Sequence, residues 1–159
     1  MGFSLELGMD FFGEPDYPRR NSETQTLDET DTPWLFASCA RGLKRFIVPL
    51  LSESDEPSEY TVRLYFADFG NEKAGKRLFD VKLQEQTVLD DFDIVSEAGG
   101  SCKAVVKQFR GIAVSNNLVI ELVAQDKELS SKNSVPVLCG VEVLHERKAE
   151  IAVTTVHTR

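Results

Sequence analysis

Histidine, tryptophan and cysteine are all scarce in this chain: 2 His, 1 Trp and 3 Cys among 159 residues. Cys39, Cys102 and Cys139 are odd in number, form no C-x-x-C pair and have no clustered histidine beside them, which argues against a zinc site and allows at most one internal disulfide. Which two would pair is open. Cys139, in the apolar run VPVLCGVEVL, reads as a small buried hydrophobe. There is no G-x-S-x-G elbow, and His145 and His157 both stand late in the chain, away from any Ser or Cys motif. Basic residues are also in deficit: 18 Lys and Arg against 26 Asp and Glu leave a net charge of −8. Such a chain is repelled by nucleic-acid phosphates and anionic lipid surfaces. No apolar run approaches the roughly 20 residues a membrane helix needs; FIVPLL at 46–51 falls far short. The opening MGFSLELGMDFFGEPD lacks the order of a secretory signal, and Glu6 occupies the position a myristoylation site reserves for Ser or Thr. The chain thus reads as cytoplasmic or as a piece of something larger.

What is present is a period of two. In YTVRLYF (60–66), Tyr60, Val62, Leu64 and Phe66 share one face while Thr61, Arg63 and Tyr65 share the other, the pattern of a half-buried strand. FDVKL (79–83) and LVIEL (118–122) repeat it. AVVKQF (104–109) and VLCGVEVL (137–144) are rich in β-branched residues. SLELGMDF near the start and KRFIVPLL (44–51) are further strand candidates, with Pro49 placing the second at an edge or at a strand end. Turn signals at Gly70-Asn71 with Gly75, Gly99-Gly100, Asn116-Asn117 and SSKNS separate the runs. No segment keeps a capped 3.6-residue period. The expectation is an all-β, antiparallel β-sandwich. Residues 13–33, polar and acidic, read as one long loop of the kind that often carries function.

Two motifs mimic ligand sites. GNEKAGKR (70–77) matches a phosphate loop until Arg77 replaces the magnesium-holding Ser or Thr, and a strand follows where a helix is required; a hairpin loop is the better reading. DDFD (90–93) offers carboxylates to calcium but lacks the glycine and distal glutamate of an EF-hand, so solvated acids on a strand are expected. Asp80 and Glu85 fall on an outward face and in a turn. A paired-carboxylate glycosidase would need two of Asp68, Asp90, Asp91 and Asp93 facing one cleft at about 5–9.5 Å.

PWLFAS, YTVRLYFADF, GKRLFDVKLQEQTVLDDFDIVSEAGG, KAVVKQF and PVLCGVEVL occur in the order and spacing of the malectin family, which the chain resembles over residues 31–145. The resemblance implies a jelly-roll β-sandwich similar to galactose-binding-like carbohydrate modules. It implies no catalytic activity, and no cofactor is expected; the length fits a single domain over 1–159, with 146–159 an edge strand or flexible tail. Related domains occur in plant receptor kinases and on large bacterial extracytoplasmic proteins. The expectation is accordingly a bacterial-type domain of a larger secreted or periplasmic protein.

Sugars offer apolar ring faces and hydroxyls, so their sites combine aromatic platforms with carboxylates or amides. On that basis the expected ligand-binding residues are Tyr17, Trp34, Asp68, Phe69 and Asn71, on or beside loops 13–33, 68–76 and 130–136. Tyr17 follows from the DY pair that resembles the family's. Trp34, beside Leu35 and Phe36, fits a core strand as readily. Elsewhere the chain departs from the lectin: Arg41 and Gly70-Asn71 stand where the family pattern has aromatics, and Ser134 where it has a late Asp. The expected partner is an oligosaccharide, with a neighbouring protein domain as the alternative if the sugar pocket is lost.

Overall fold

The computed structural model describes residues 10–16, 18, 36, 38–128 and 131–146. Nine strands and one short helix follow in order: β1 (Asp10–Asp16), β2 (Ala40–Pro49), β3 (Ser58–Phe66), β4 (Phe79–Leu83), β5 (Gln86–Phe92), α1 (Ile94–Ala98), β6 (Val105–Val114), β7 (Asn117–Ala124), β8 (Val137–Leu138) and β9 (Gly140–His145). They form two sheets, one of order β1-β2-β7-β4-β5 with β8 added to β2, the other of order β6-β3-β9. Every pairing is antiparallel. The expected antiparallel jelly-roll sandwich is the architecture of the chain.

The inward residues of the alternating runs fill the space between the sheets. Phe46, Phe79, Val81, Leu83, Leu118, Ile120 and Leu122 from the first sheet meet Tyr60, Val62, Leu64 and Phe66 from the second in one core. Phe66, Phe79 and Phe92 pack as a ring triplet with centroids 4.9, 5.6 and 6.0 Å apart, within the range aromatic pairs prefer. The outer face of β3 is less exposed than alternation implies. Tyr65 is buried edge-on against Phe36, with centroids 5.8 Å apart, and Thr61 Oγ1 donates to Glu146 at 2.8 Å.

Three local expectations change. The segment expected to be loop from residue 13 begins as strand, because Gly13 pairs with Leu43 and Asp16 with Arg41. The run KRFIVPLL is the second half of a longer strand that ends at Pro49; beyond it the amides of Leu50 and Leu51 both donate to Asn116 O. DIVSEAGG, where no helix is expected, makes one helical turn. Asp93 caps it by accepting from Ser96 N at 3.1 Å, Ile94 and Val95 are buried, and Gly99 ends it at φ 76°, a left-handed conformation that suits glycine. Five residues are too few to display a 3.6 period.

The acids of residues 79–100 have structural work. Asp80 Oδ1 accepts from Asp91 N at 2.9 Å and from Gln125 Nε2 at 2.7 Å, Asp93 Oδ2 accepts from Gly75 N at 2.5 Å, and Glu97 pairs with Lys107. Glu85 sits with Gln84 in the two-residue β4–β5 turn, both at positive φ.

Candidate functional site

At one end of the sandwich the β3–β4 connection (67–78), the start of β2 and the β7–β8 connection (125–136) converge. Between them lies a cavity of about 140 Å³ lined by Pro18, Ser38, Cys39, Arg41, Ala67, Asp68, Phe69, Gly70, Arg77 and Val137.

Asp68 organises this end. Its Oδ1 accepts from the amides of Gly70 at 2.9 Å and Asn71 at 3.1 Å, an Asx turn. Its Oδ2 accepts from Asn71 Nδ2 at 2.9 Å and Arg77 Nε at 3.0 Å. Arg77 is also buried, and its Nη1 donates to Lys132 O at 3.1 Å and to Val135 O. Asn71 Nδ2 reaches the same loop at Asn133 O, 2.9 Å away. One guanidinium and one amide thus tie the 67–78 loop to the 125–136 loop. At Gly70 a β-carbon would lie 2.8 Å from Asn133 Oδ1 and 3.1 Å from Arg77 Nη2, so glycine permits the two loops to approach.

On the open side, Arg41 donates from Nε to Asp16 Oδ1 at 2.8 Å, with a second contact from Nη2 to Oδ2. The Arg41 hydrogen bond holds the Asp16 carboxyl below its ordinary range. Lys132 Nζ lies 3.9 Å from the same carboxylate. The cavity is therefore lined by Arg41, Phe69 and Ser38 beside the buried Asp68–Arg77 ion pair. That set suits a small polar ligand with hydrogen-bonding groups.

Of the five expected contacts, Asp68 and Phe69 line the cavity, and Asn71 lies beside it, 7% exposed. Asp68 spends both carboxylate oxygens, and Asn71 its Nδ2, inside the protein. Tyr17 and Trp34 lie outside the described residues. Arg41, Arg77, Ser38 and Cys39 join the lining without having been expected as contacts; of these only Arg41 had a signal, its place where the family pattern has an aromatic. Ser134 is buried in its own loop, with Oγ 2.8 Å from Asp126 Oδ2 and 2.9 Å from Ser131 O. Of the four acids considered for a glycosidase pair, only Asp68 lines the cavity. Asp80, Asp90 and Asp91 bring carboxylate oxygens within 4.8 Å of one another, but on the strand pair β4–β5. No helix among the described residues is long and apolar enough to cross a membrane.

A family model described as the malectin domain matches residues 10–142. Among curated proteins, a probable leucine-rich repeat receptor-like serine/threonine-protein kinase of Arabidopsis thaliana is 44% identical over 69 residues, 40% of this chain and 7% of the kinase. A probable receptor-like protein kinase of the same plant is 28% identical over 100 residues, 63% of this chain and 12% of the relative. The chain thus spans about an eighth or less of these relatives. These curated relatives are plant proteins, so the expectation of a bacterial-type domain is not borne out. Among solved structures, the ANXUR2 extracellular domain from Arabidopsis thaliana superposes with a TM-score of 0.69 at 12% identity, covering 89% of this chain and 42% of that one. Bacteroides uniformis β-glucuronidase superposes with a TM-score of 0.67 at 13% identity, covering 87% of this chain and 14% of the enzyme. At such identities the likeness is one of fold.

Proposed function

Because the chain belongs to the malectin-domain family, we propose that it is a non-catalytic, carbohydrate-binding-like module of a larger protein that acts outside the cytoplasm. The observation that carries this reading is the cavity between the 67–78 loop and the start of β2, with Phe69 and Arg41 in its lining and the Asp68–Arg77 pair holding its shape. An aromatic face with charged and hydroxyl donors is what a sugar requires. Phe69 and Arg41 make the ligand contacts and Asp68 and Asn71 shape the loop; Tyr17 and Trp34, outside the described residues, stay candidate contacts by sequence. The size of the parent relatives and the extracellular origin of the ANXUR2 domain support placement in a longer, secreted or surface-exposed chain.

A shallow site of this kind binds with a dissociation constant of about 10⁻³–10⁻⁵ M. A glycan array with glucose- and galactose-containing oligosaccharides, followed by titration at millimolar concentration, tests it. Selective binding that weakens about tenfold in Phe69→Ala, a loss of roughly 1.4 kcal/mol, supports the reading; unchanged affinity in that variant moves the site elsewhere.

A second reading is a protein-interaction domain on the same scaffold. It is favoured by the size of the cavity, about 140 Å³ against the roughly 300–1,000 Å³ of pockets that enclose a small ligand. Silence on the array together with a stoichiometric protein partner would decide for it.

A further inference from the structure

Cys39 and Cys139 are 100 positions apart in sequence and opposite each other in space. In the β2–β8 pairing, Ala40 faces Leu138 and Arg41 faces Val137, so one step outward along the same antiparallel register sets Cys39 against Cys139. The hydrogen bonds identify the type of site. Gly42 N donates to Pro136 O at 2.9 Å, while Cys39 N donates to Pro18 O and Cys139 N to Tyr65 O. The two cysteines therefore do not bond to each other through the main chain and occupy a non-hydrogen-bonded position. There the Cα atoms of an antiparallel pair lie about 4.5 Å apart, inside the roughly 4.4–6.8 Å window a disulfide accepts. The two thiols are close enough for each to shift the other's protonation, in keeping with side chains that leave the sheet on the same side.

We propose that Cys39 and Cys139 are a disulfide-forming pair, a cross-strand staple that joins the start of β2 to the β8–β9 junction when the chain meets an oxidising disulfide. All three cysteines are thiols in this structure, which is the reduced form. Cys39 is among the residues lining the cavity, whereas Cys139 Sγ points to Ala67 O at 3.9 Å. The neighbouring Cys139 thiol, with help from the Arg77 and Arg41 charges, holds the Cys39 thiol below its ordinary range; the Cys39 thiol and burial push Cys139 well above its own. Cys39, the one of the two that lines the cavity and lies near the Arg41 and Arg77 charges, is the attacking thiolate. It displaces one thiolate from an external disulfide such as oxidised glutathione, forming a mixed disulfide. Cys139 gives its proton to solvent and attacks the Cys39 sulfur, releasing the second glutathione thiolate. One external disulfide is reduced to two thiols and one internal disulfide forms.

The staple would close a loop of about 100 residues, and cross-linking constrains the unfolded chain more the longer the loop it closes. It would also anchor the cavity wall beside Arg41. Cys102 is outside this register: it lies in the α1–β6 connection, its Sγ 3.4 Å from Ser101 Oγ.

The test is to equilibrate the folded chain in oxidised and reduced glutathione, block free thiols with an alkylating reagent and map peptides without reduction. The expected product joins the Cys39 and Cys139 peptides with the loss of two hydrogens, leaves Cys102 alkylated and raises Tm by about 10 °C. Cys102→Ser should form the same link. Full alkylation of Cys39 and Cys139 in the oxidised, folded protein would overturn the proposal, as would a link to Cys102.

Discussion

Arg77 Nε lies 3.0 Å from Asp68 Oδ2, with the two side chains 3% and 1% exposed. Two opposite charges have left water together, and each is further satisfied: the acid by two main-chain amides and Asn71, the base by two carbonyls of the facing loop. This pair is the hinge-pin of the cavity end, and its loss has consequences that differ from those of a surface ion pair.

Removing one partner strands the other. Asp68→Asn or Arg77→Met should each cost about 3–5 kcal/mol in urea unfolding. The double variant should cost less than the sum, because neither charge is then left alone. Arg77→Lys should not restore stability, since an ammonium cannot replace the forked contacts to Asp68 and two carbonyls. A cost below about 1 kcal/mol for Asp68→Asn would show that the pair does not hold the loops.

The acids of 90–93 should separate sharply. Asp93→Ala removes the cap of α1 and the acceptor for Gly75 N, and should cost about 1–2 kcal/mol. Asp90→Asn on the exposed face of β5 should change stability by less than about 0.5 kcal/mol. Equal effects at the two positions would contradict these assigned roles.

Phe66 is fully buried at the centre of the ring triplet. Phe66→Ala should destabilise by about 3–5 kcal/mol, read from the urea midpoint at unchanged slope. A smaller loss would mean that β3 and β4 close over the space.

Asp16 has a pH signature. Its folded carboxyl is held below the unfolded value of 3.8, chiefly by the Arg41 hydrogen bond. Its contribution is therefore present above the unfolded value and is lost as pH falls through the lower, folded one. The carboxylate is half exposed, so solvent screening keeps the effect small. Melting curves of the wild type and Asp16→Asn should differ at neutral pH and converge in acid. A difference that persists at the lowest pH would assign the effect to packing.

The sandwich was legible because alternation is local. In FDVKL, Phe79, Val81 and Leu83 are buried, as period two requires, and the QEQT turn falls between β4 and β5 as Gln84-Glu85. The phosphate-loop mimic GNEKAGKR is a connection followed by a strand, as the strand-forming residues after it indicated, but it crosses from one sheet to the other and is not the hairpin loop expected. Helix α1 was not legible, since one turn leaves no period and only its caps, Asp93 and Gly99, mark it. The site was least legible. Asp68 and Asn71 read as ligand contacts because acids and amides in a loop look alike whether they face solvent or one another.

Residue order by itself determined the β class, the strand faces and the core, because burial of alternating side chains depends on neighbours two positions away. Only the tertiary structure decided that Arg77 clasps Asp68, that Arg41 holds Asp16 at the cavity mouth and that Cys39 faces Cys139. Those partners stand 9, 25 and 100 positions apart, and no local pattern specifies which distant group a buried charge or thiol will meet when two sheets close.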